Sequence, residues 1–251
     1  MGQPAECIGG EFLMADNGSE ILMAEYLVTD TELSGVADAI RAKGGTSESL
    51  TWPDGYKAAV EAIQTGGGAK EPYIEETYDA KGNLIDVNLV GYTTIRPYAF
   101  YKCTNLSLIS LPSGLTSIGS YAFGSCTNLA LTSLPSGITS IGDFAFQSCS
   151  KLALTSLPSG LTSVGNHTFY GCQKLSLTSL PSGITSIGGN AFSKCTGLTS
   201  ITFQGKPNSI ASNAFNGCTN LKTINVPWAS GAVSGAPWGA TNATINYNYT
   251  G

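Results

Sequence analysis

LTSIGSYAFGSCTNLALTSL, residues 115–134, is one copy of a pattern that returns every 23 residues. The cysteines at 103, 126, 149, 172, 195 and 218 keep that interval without exception. Phe100, Phe123, Phe146, Phe169, Phe192 and Phe215 stand three residues before them, and Leu106, Leu129, Leu152, Leu175, Leu198 and Leu221 three after. Ile95, Ile118, Ile141, Val164, Ile187 and Ile210 stand eight before. A fixed period of this size marks stacked units rather than a compact globule. A unit this short cannot hide its own apolar face, so it must pack on its neighbours. The frame predicts a β-rich solenoid over residues 92–226.

Inside the unit, Leu115–Ile118 suits a brief strand, and Gly119 a turn free of Cβ cost. Tyr121-Ala122-Phe123 is expected to make one helical or 3-10 turn. A second extended run, Leu129–Leu134, closes the unit, and Pro135 ends it because proline cannot donate to a continuing ladder. The second run varies. Ile109, Ile201 and Ile224 lie six residues after their cysteines, whereas the middle copies put Leu131, Leu154 and Leu177 one position earlier. Either the strand shifts by a residue there, or a leucine ladder faces outward.

These units closely resemble the BspA-type leucine-rich repeat, L-T-S-I-x-x-x-A-F-x-x-C-x-x-L. ITSIGDFAFQSCSKL (138–152) and ITSIGGNAFSKCTGL (184–198) match it, and six copies cover residues 92–227. The resemblance implies a gently curved, right-handed leucine-rich-repeat solenoid that binds rather than catalyses.

Stacked cysteines would lie near the strand spacing, within reach of disulfide geometry. Their apolar phase beside Phe and Leu instead suits a column of buried, reduced thiols. No CxxC or Cys/His cluster suggests a metal site. Charge is divided along the chain. Residues 1–91 hold sixteen of the seventeen acids, and the repeats hold only Asp143 against seven dispersed Lys and Arg. That is a poor nucleic-acid footprint, and no run of apolar residues is long enough to span a membrane.

Residues 1–26 read as an irregular leader without the order of a signal peptide. Residues 27–64 predict an αα-hairpin. Thr29 and Glu32 form a capping box, Leu33, Val36 and Ile40 make one stripe, and Tyr56, Val60 and Ile63 make a second. So small a module needs a partner for its stripes, which points to attachment or to a homo-oligomer. Residues 65–70 are a Gly-rich linker. Residues 71–91 predict a capping β-hairpin, with strands Tyr73–Tyr78 and Leu84–Val90 about Lys81-Gly82-Asn83. Residues 227–251 are expected to cap the other end. Trp228 and Trp238 there either cover the last apolar layer or stack on a sugar.

The phrases LVTDTELSGVADAIRAKGGTSESLTWPDGYKAAVEAI (27–63) and VPWASGAVSGAPWGATNATINYN (226–248) add a second resemblance, to tail-associated structural proteins of phages and prophages of gut Gram-positive bacteria. It implies a virion component that meets other virion subunits through residues 27–64 and a host-cell surface glycan or protein through its repeats. A bacterial cell-surface adhesin and a purely structural scaffold are the alternatives.

Catalysis and cofactors are not expected. His167 is the only histidine, and triads or carboxylate pairs cannot be assembled from the repeats. Binding positions are those that vary from copy to copy. Tyr98, Tyr121, Phe144 and His167 share one phase and predict an aromatic stripe flanked by Tyr101 and Tyr170. Such a stripe suits carbohydrate or protein recognition. Rings that only pack on adjacent turns are the plainer alternative.

Overall fold

The computed structural model describes residues 73–251. The leader, the two-helix module and the linker lie outside the described residues. The chain begins with an antiparallel hairpin, β1 (Tyr73–Tyr78) and β2 (Leu84–Val90), paired from Tyr73↔Val90 onward. At its tip Gly82 takes φ +80°, and the Asp79 carboxylate accepts from the backbone of Lys81 and Asn83. Leu84, Val87 and Leu89 turn inward, and the Ile85 carbonyl accepts the Ser107 N–H of the first coil. The hairpin therefore covers the first open layer.

Each coil then opens on a two-residue parallel strand. β3 (Thr94–Ile95), β4 (Ser117–Ile118) and β5 (Ser140–Ile141) form one ladder. β6 (Ser163–Val164), β8 (Ser186–Ile187) and β10 (Ser209–Ile210) form a second, in register at the 23-residue period. A third sheet on another side runs from β7 (Ser179–Leu180) through β9 (Ser200–Phe203) and β11 (Thr223–Asn225) to β12 (Thr244–Asn246). The glycine after β4, β5, β6 and β8 is explained by crowding rather than by its dihedral angles, while Ala211 holds that phase after β10. A Cβ on Gly142 would lie 2.5 Å from the Ser120 nitrogen of the preceding coil. Arg96 fills that phase in the first coil, which has no repeat before it.

The corner at Tyr121–Cys126 is not the expected helical or 3-10 turn, and no helix occurs among the described residues. Its N–H groups alternate in direction. Tyr121, Phe123 and Ser125 donate to Asp143, Ala145 and Gln147 of the next coil, while Ala122, Gly124 and Cys126 donate three residues back. Tyr121 and Ser125 sit at φ 57° and 63° to achieve this. A helix would turn all six donors inward along one axis. The alternation spends half of them on binding coil to coil.

The core is one continuous column. Phe100, Phe123, Phe146, Phe169, Phe192 and Phe215 are fully buried, with successive ring centroids 5.2–5.6 Å apart and planes within 14°. The leucines do not form an outward ladder, and no strand shifts to hold them in the first three copies, where the run is not a strand. Leu108, Leu131, Leu154 and Leu177 all point inward, and Ile109 is 75% exposed. The first copy thus behaves like the middle three, against the sequence expectation. In the last two copies Ile201 and Ile224 are buried instead.

The chain does not leave the solenoid at Val226. Val233 and Trp238 stand 23 residues after Ile210 and Phe215 and occupy their buried phases. The Phe215 N–H donates to the Trp238 carbonyl, and β12 pairs with β11. The expected cap is a degenerate further coil, giving about seven turns.

Candidate functional site

The residue two before each core phenylalanine is held in the left-handed region. Tyr98, Tyr121, Phe144, His167 and Asn190 have φ of 63°, 57°, 60°, 53° and 53°. In the first four copies the N–H donates to the next coil, to Ser120, Asp143, Asn166 and Gly189 respectively. The conformation costs a non-glycine residue roughly 1–2 kcal/mol. A second left-handed column four residues on holds Lys102, Ser125, Ser148 and Lys194 as well as Gly171 and Gly217, so left-handed angles belong to the corner in either column. The first column carries rings.

Those rings form a stack on the outside of the coils. Tyr98–Tyr121, Tyr121–Phe144 and Phe144–His167 have centroids 4.8, 4.5 and 4.6 Å apart and planes within 8°. Tyr101 meets Tyr98 and Tyr121 edge-on, both at 5.7 Å. Tyr170 tilts against His167 at 5.5 Å. The stripe expected from the sequence is brought together, and its members also pack on adjacent turns. Lys102 and Lys194 place their ammonium groups 5.2 and 5.0 Å from the Tyr101 and Tyr170 ring centroids, a feature the sequence reading missed. Both lysines directly precede a repeat cysteine, so their phase was visible; Lys102 adjoins Tyr101 in sequence, whereas Lys194 reaches Tyr170 from the following coil.

A polar file runs beside the rings. Asp143 accepts from the Asn166 backbone N–H and side-chain amide, and Asn166 Oδ1 accepts from the Gly189 N–H. Asn190 Nδ2 lies 3.2 Å from His167 Nε2 and closes the stack at that end. The single acid of the repeats is thus engaged by hydrogen bonds between coils. Desolvation first, then Tyr98, Tyr101 and Asp143, raises the Tyr121 phenol above its usual value. It keeps its proton and can donate as well as accept.

Trp228 and Trp238 do not join this surface. They are 6% and 0% exposed and lie 5.3 and 6.2 Å from Phe203, and the Trp238 indole donates to the Ser234 carbonyl. With no free ring face, they close the core and offer nothing to a sugar.

The cysteines at 126, 149, 172, 195 and 218 are buried and free, as expected, but Cys103 is disulfide-bonded, which corrects the expectation for the first copy. The free thiols are more than filler. Each donates to the phenylalanine carbonyl 26 residues earlier, at 2.9–3.1 Å, as Cys149 does to Phe123. Burial pushes the Cys126 and Cys218 thiols up to about 12 and about 11. Among the described residues no group of His, Cys, Asp and Glu comes together as a metal site would require.

A parallel solenoid with one short strand, one phenylalanine and one thiol per coil is a leucine-rich-repeat architecture. The chain belongs to the BspA type leucine-rich repeat family, whose model matches six copies over residues 93–222. It is similar in structure to the leucine-rich repeat protein TpLRR of T. pallidum, with 25% identity over 68% of this chain and 88% of that one, at a TM-score of 0.51. Weaker likenesses are to the pneumococcal vaccine antigen PcpA (20% identity, 69% of this chain, 47% of that one, TM-score 0.44) and to a leucine-rich cell surface protein of Faecalibacterium prausnitzii A2-165 (19%, 63%, 71%, 0.30). No curated protein matches the chain.

Proposed function

We propose that this protein is a non-catalytic recognition module whose outer aromatic row contacts a glycan or protein on a cell surface. The observation that carries the reading is the unbroken stack from Tyr98 to His167, built at backbone positions where glycine would relieve strain. Stacking contributes about 0.5–1.5 kcal/mol per pair. That roughly offsets the left-handed backbone cost of roughly 1–2 kcal/mol per residue, so the row adds little net stability. Recognition gives it a reason to exist.

Replacing Tyr121 and Phe144 together by serine tests this. Binding to host cells should be lost while the melting curve stays close to that of the parent. Retained binding by the double variant overturns the reading. The vehicle we propose is a phage tail, supported by the resemblance of residues 27–63 and 226–248 to tail-associated proteins. Residues 27–64 would then make the contact with other virion subunits or with a second copy. Antibody against the chain should decorate purified particles. Decoration of the bacterial envelope alone would assign it to the cell surface instead.

A further inference from the structure

The aromatic stack has two unlike ends. At one, the His167 edge is occupied by the Asn190 amide, and asparagine replaces the ring in the next coil. At the other, Tyr98 lies on Tyr121 by one face only, and among the described residues no ring lies against its second face. Tyr98 is 56% exposed, while Tyr121, Phe144 and His167, in the same phase, are partly buried between neighbours. Tyr101 stands edge-on beside it and fixes the ring plane, and the left-handed backbone fixes its root. A preorganised flat ring, more than half exposed and with one face that no ring covers among the described residues, is a stacking platform.

We infer that the ring-free face of Tyr98 is the subsite for a single pyranose ring, held by its C–H face. This rests on the recognition reading above and narrows it to one end of the row. The inner rings offer only their edges, because each face is already covered by a neighbouring ring. They therefore position Tyr98 rather than bind. A pyranose fits better than a flat aromatic group because its equatorial hydroxyls extend past the ring edge toward the Tyr98 and Tyr101 phenols, which both donate and accept.

Saturation-transfer NMR on the full chain tests it, irradiating the aromatic protons in the presence of methyl glucopyranoside, galactopyranoside and N-acetylglucosaminide. Transfer to the ring protons of at least one glycoside is expected. Tyr98→Ala should weaken it roughly fivefold to tenfold, Tyr98→Trp should keep it, and Phe144→Leu should change it little. Loss with Phe144→Leu but not with Tyr98→Ala overturns the subsite and leaves recognition by the row intact. No transfer to any glycoside, from a chain that still binds cells, overturns the sugar assignment alone. Absence of both cell binding and transfer overturns the two readings together.

Discussion

Cys149 shows how one side chain serves two needs. It fills a small apolar slot beside Phe146 and gives the Phe123 carbonyl a donor in the dry interior. Cys149→Ala should therefore cost slightly more than lost volume, about 0.5–1.5 kcal/mol for the lost hydrogen bond, because the Phe123 carbonyl keeps the Cys126 N–H as a second donor. Chemical denaturation reads that directly. Phe146→Ala opens a gap in the phenylalanine column and should cost ~3–5 kcal/mol. The thiols also set an alkaline limit. Their folded values are raised, to about 12 at Cys126 and about 11 at Cys218, so the folded state holds protons that the unfolded chain releases above about 8.5. Stability is complete below that point and falls as pH climbs toward 11 and 12. Melting temperatures across pH 8 to 10.5 should decline, and less steeply in Cys126→Ala. The sequence marked these residues as buried by their phase, but the thiol-to-carbonyl bond joins adjacent coils 26 residues apart and leaves no trace in a single copy.

At the scale of the element, spacing decides what the second run becomes. Leu154 and Leu157 are both buried and three residues apart, which a period-two strand cannot satisfy throughout; Leu177 and Leu180 share that spacing, and only the two-residue β7 forms there, against β9. In the first three copies that run makes no strand. Ile201 and Phe203 are two apart, alternate correctly, and form β9. Exchanging Leu154 and Thr155 should place threonine in the buried slot and cost ~2–4 kcal/mol, read from the urea midpoint. The hairpin was legible because β2 buries Leu84, Val87 and Leu89 around a turn marked by glycine. The corner was not. Left-handed angles at Tyr121 and Phe144 are imposed by hydrogen bonds to the following coil, and local preference argues against them. The ladder between β5 and β6 is also interrupted, where the Asp143 side chain takes the Asn166 N–H instead.

Over the whole molecule, the last coil acts as a seal. Trp238 takes the place of phenylalanine and, with Trp228 and Phe203, closes the column. Deleting residues 227–251 should expose Val226, Ile224 and Phe203 together and give a chain that aggregates in light scattering, whereas deleting only Thr250 and Gly251 should change nothing. Trp238→Ser should lower the melting temperature, unlike the Tyr121/Phe144 double change. The solenoid and its aromatic row could be read from phase alone, since stacking converts sequence period into spatial file. The extra coil was hidden because its cysteine and leucine positions hold Thr241 and Thr244 and only Val233 and Trp238 keep the apolar frame.

The uniform joint between coils has a genetic consequence. SLPSGITSIG occurs at 133–142 and again, letter for letter, at 179–188, a displacement of 46 residues, or two periods of 23. Unequal exchange between the two stretches removes or adds two coils in frame and keeps the 23-residue phase, although removal also takes out Phe144, His167 and the Asp143–Asn166 link. Coil number can therefore change in one recombination event, without passing through an unfolded intermediate sequence. A solenoid shortened in this way would keep both ends together with Tyr98, Tyr101 and Tyr121 but would lose half of the four-ring stack.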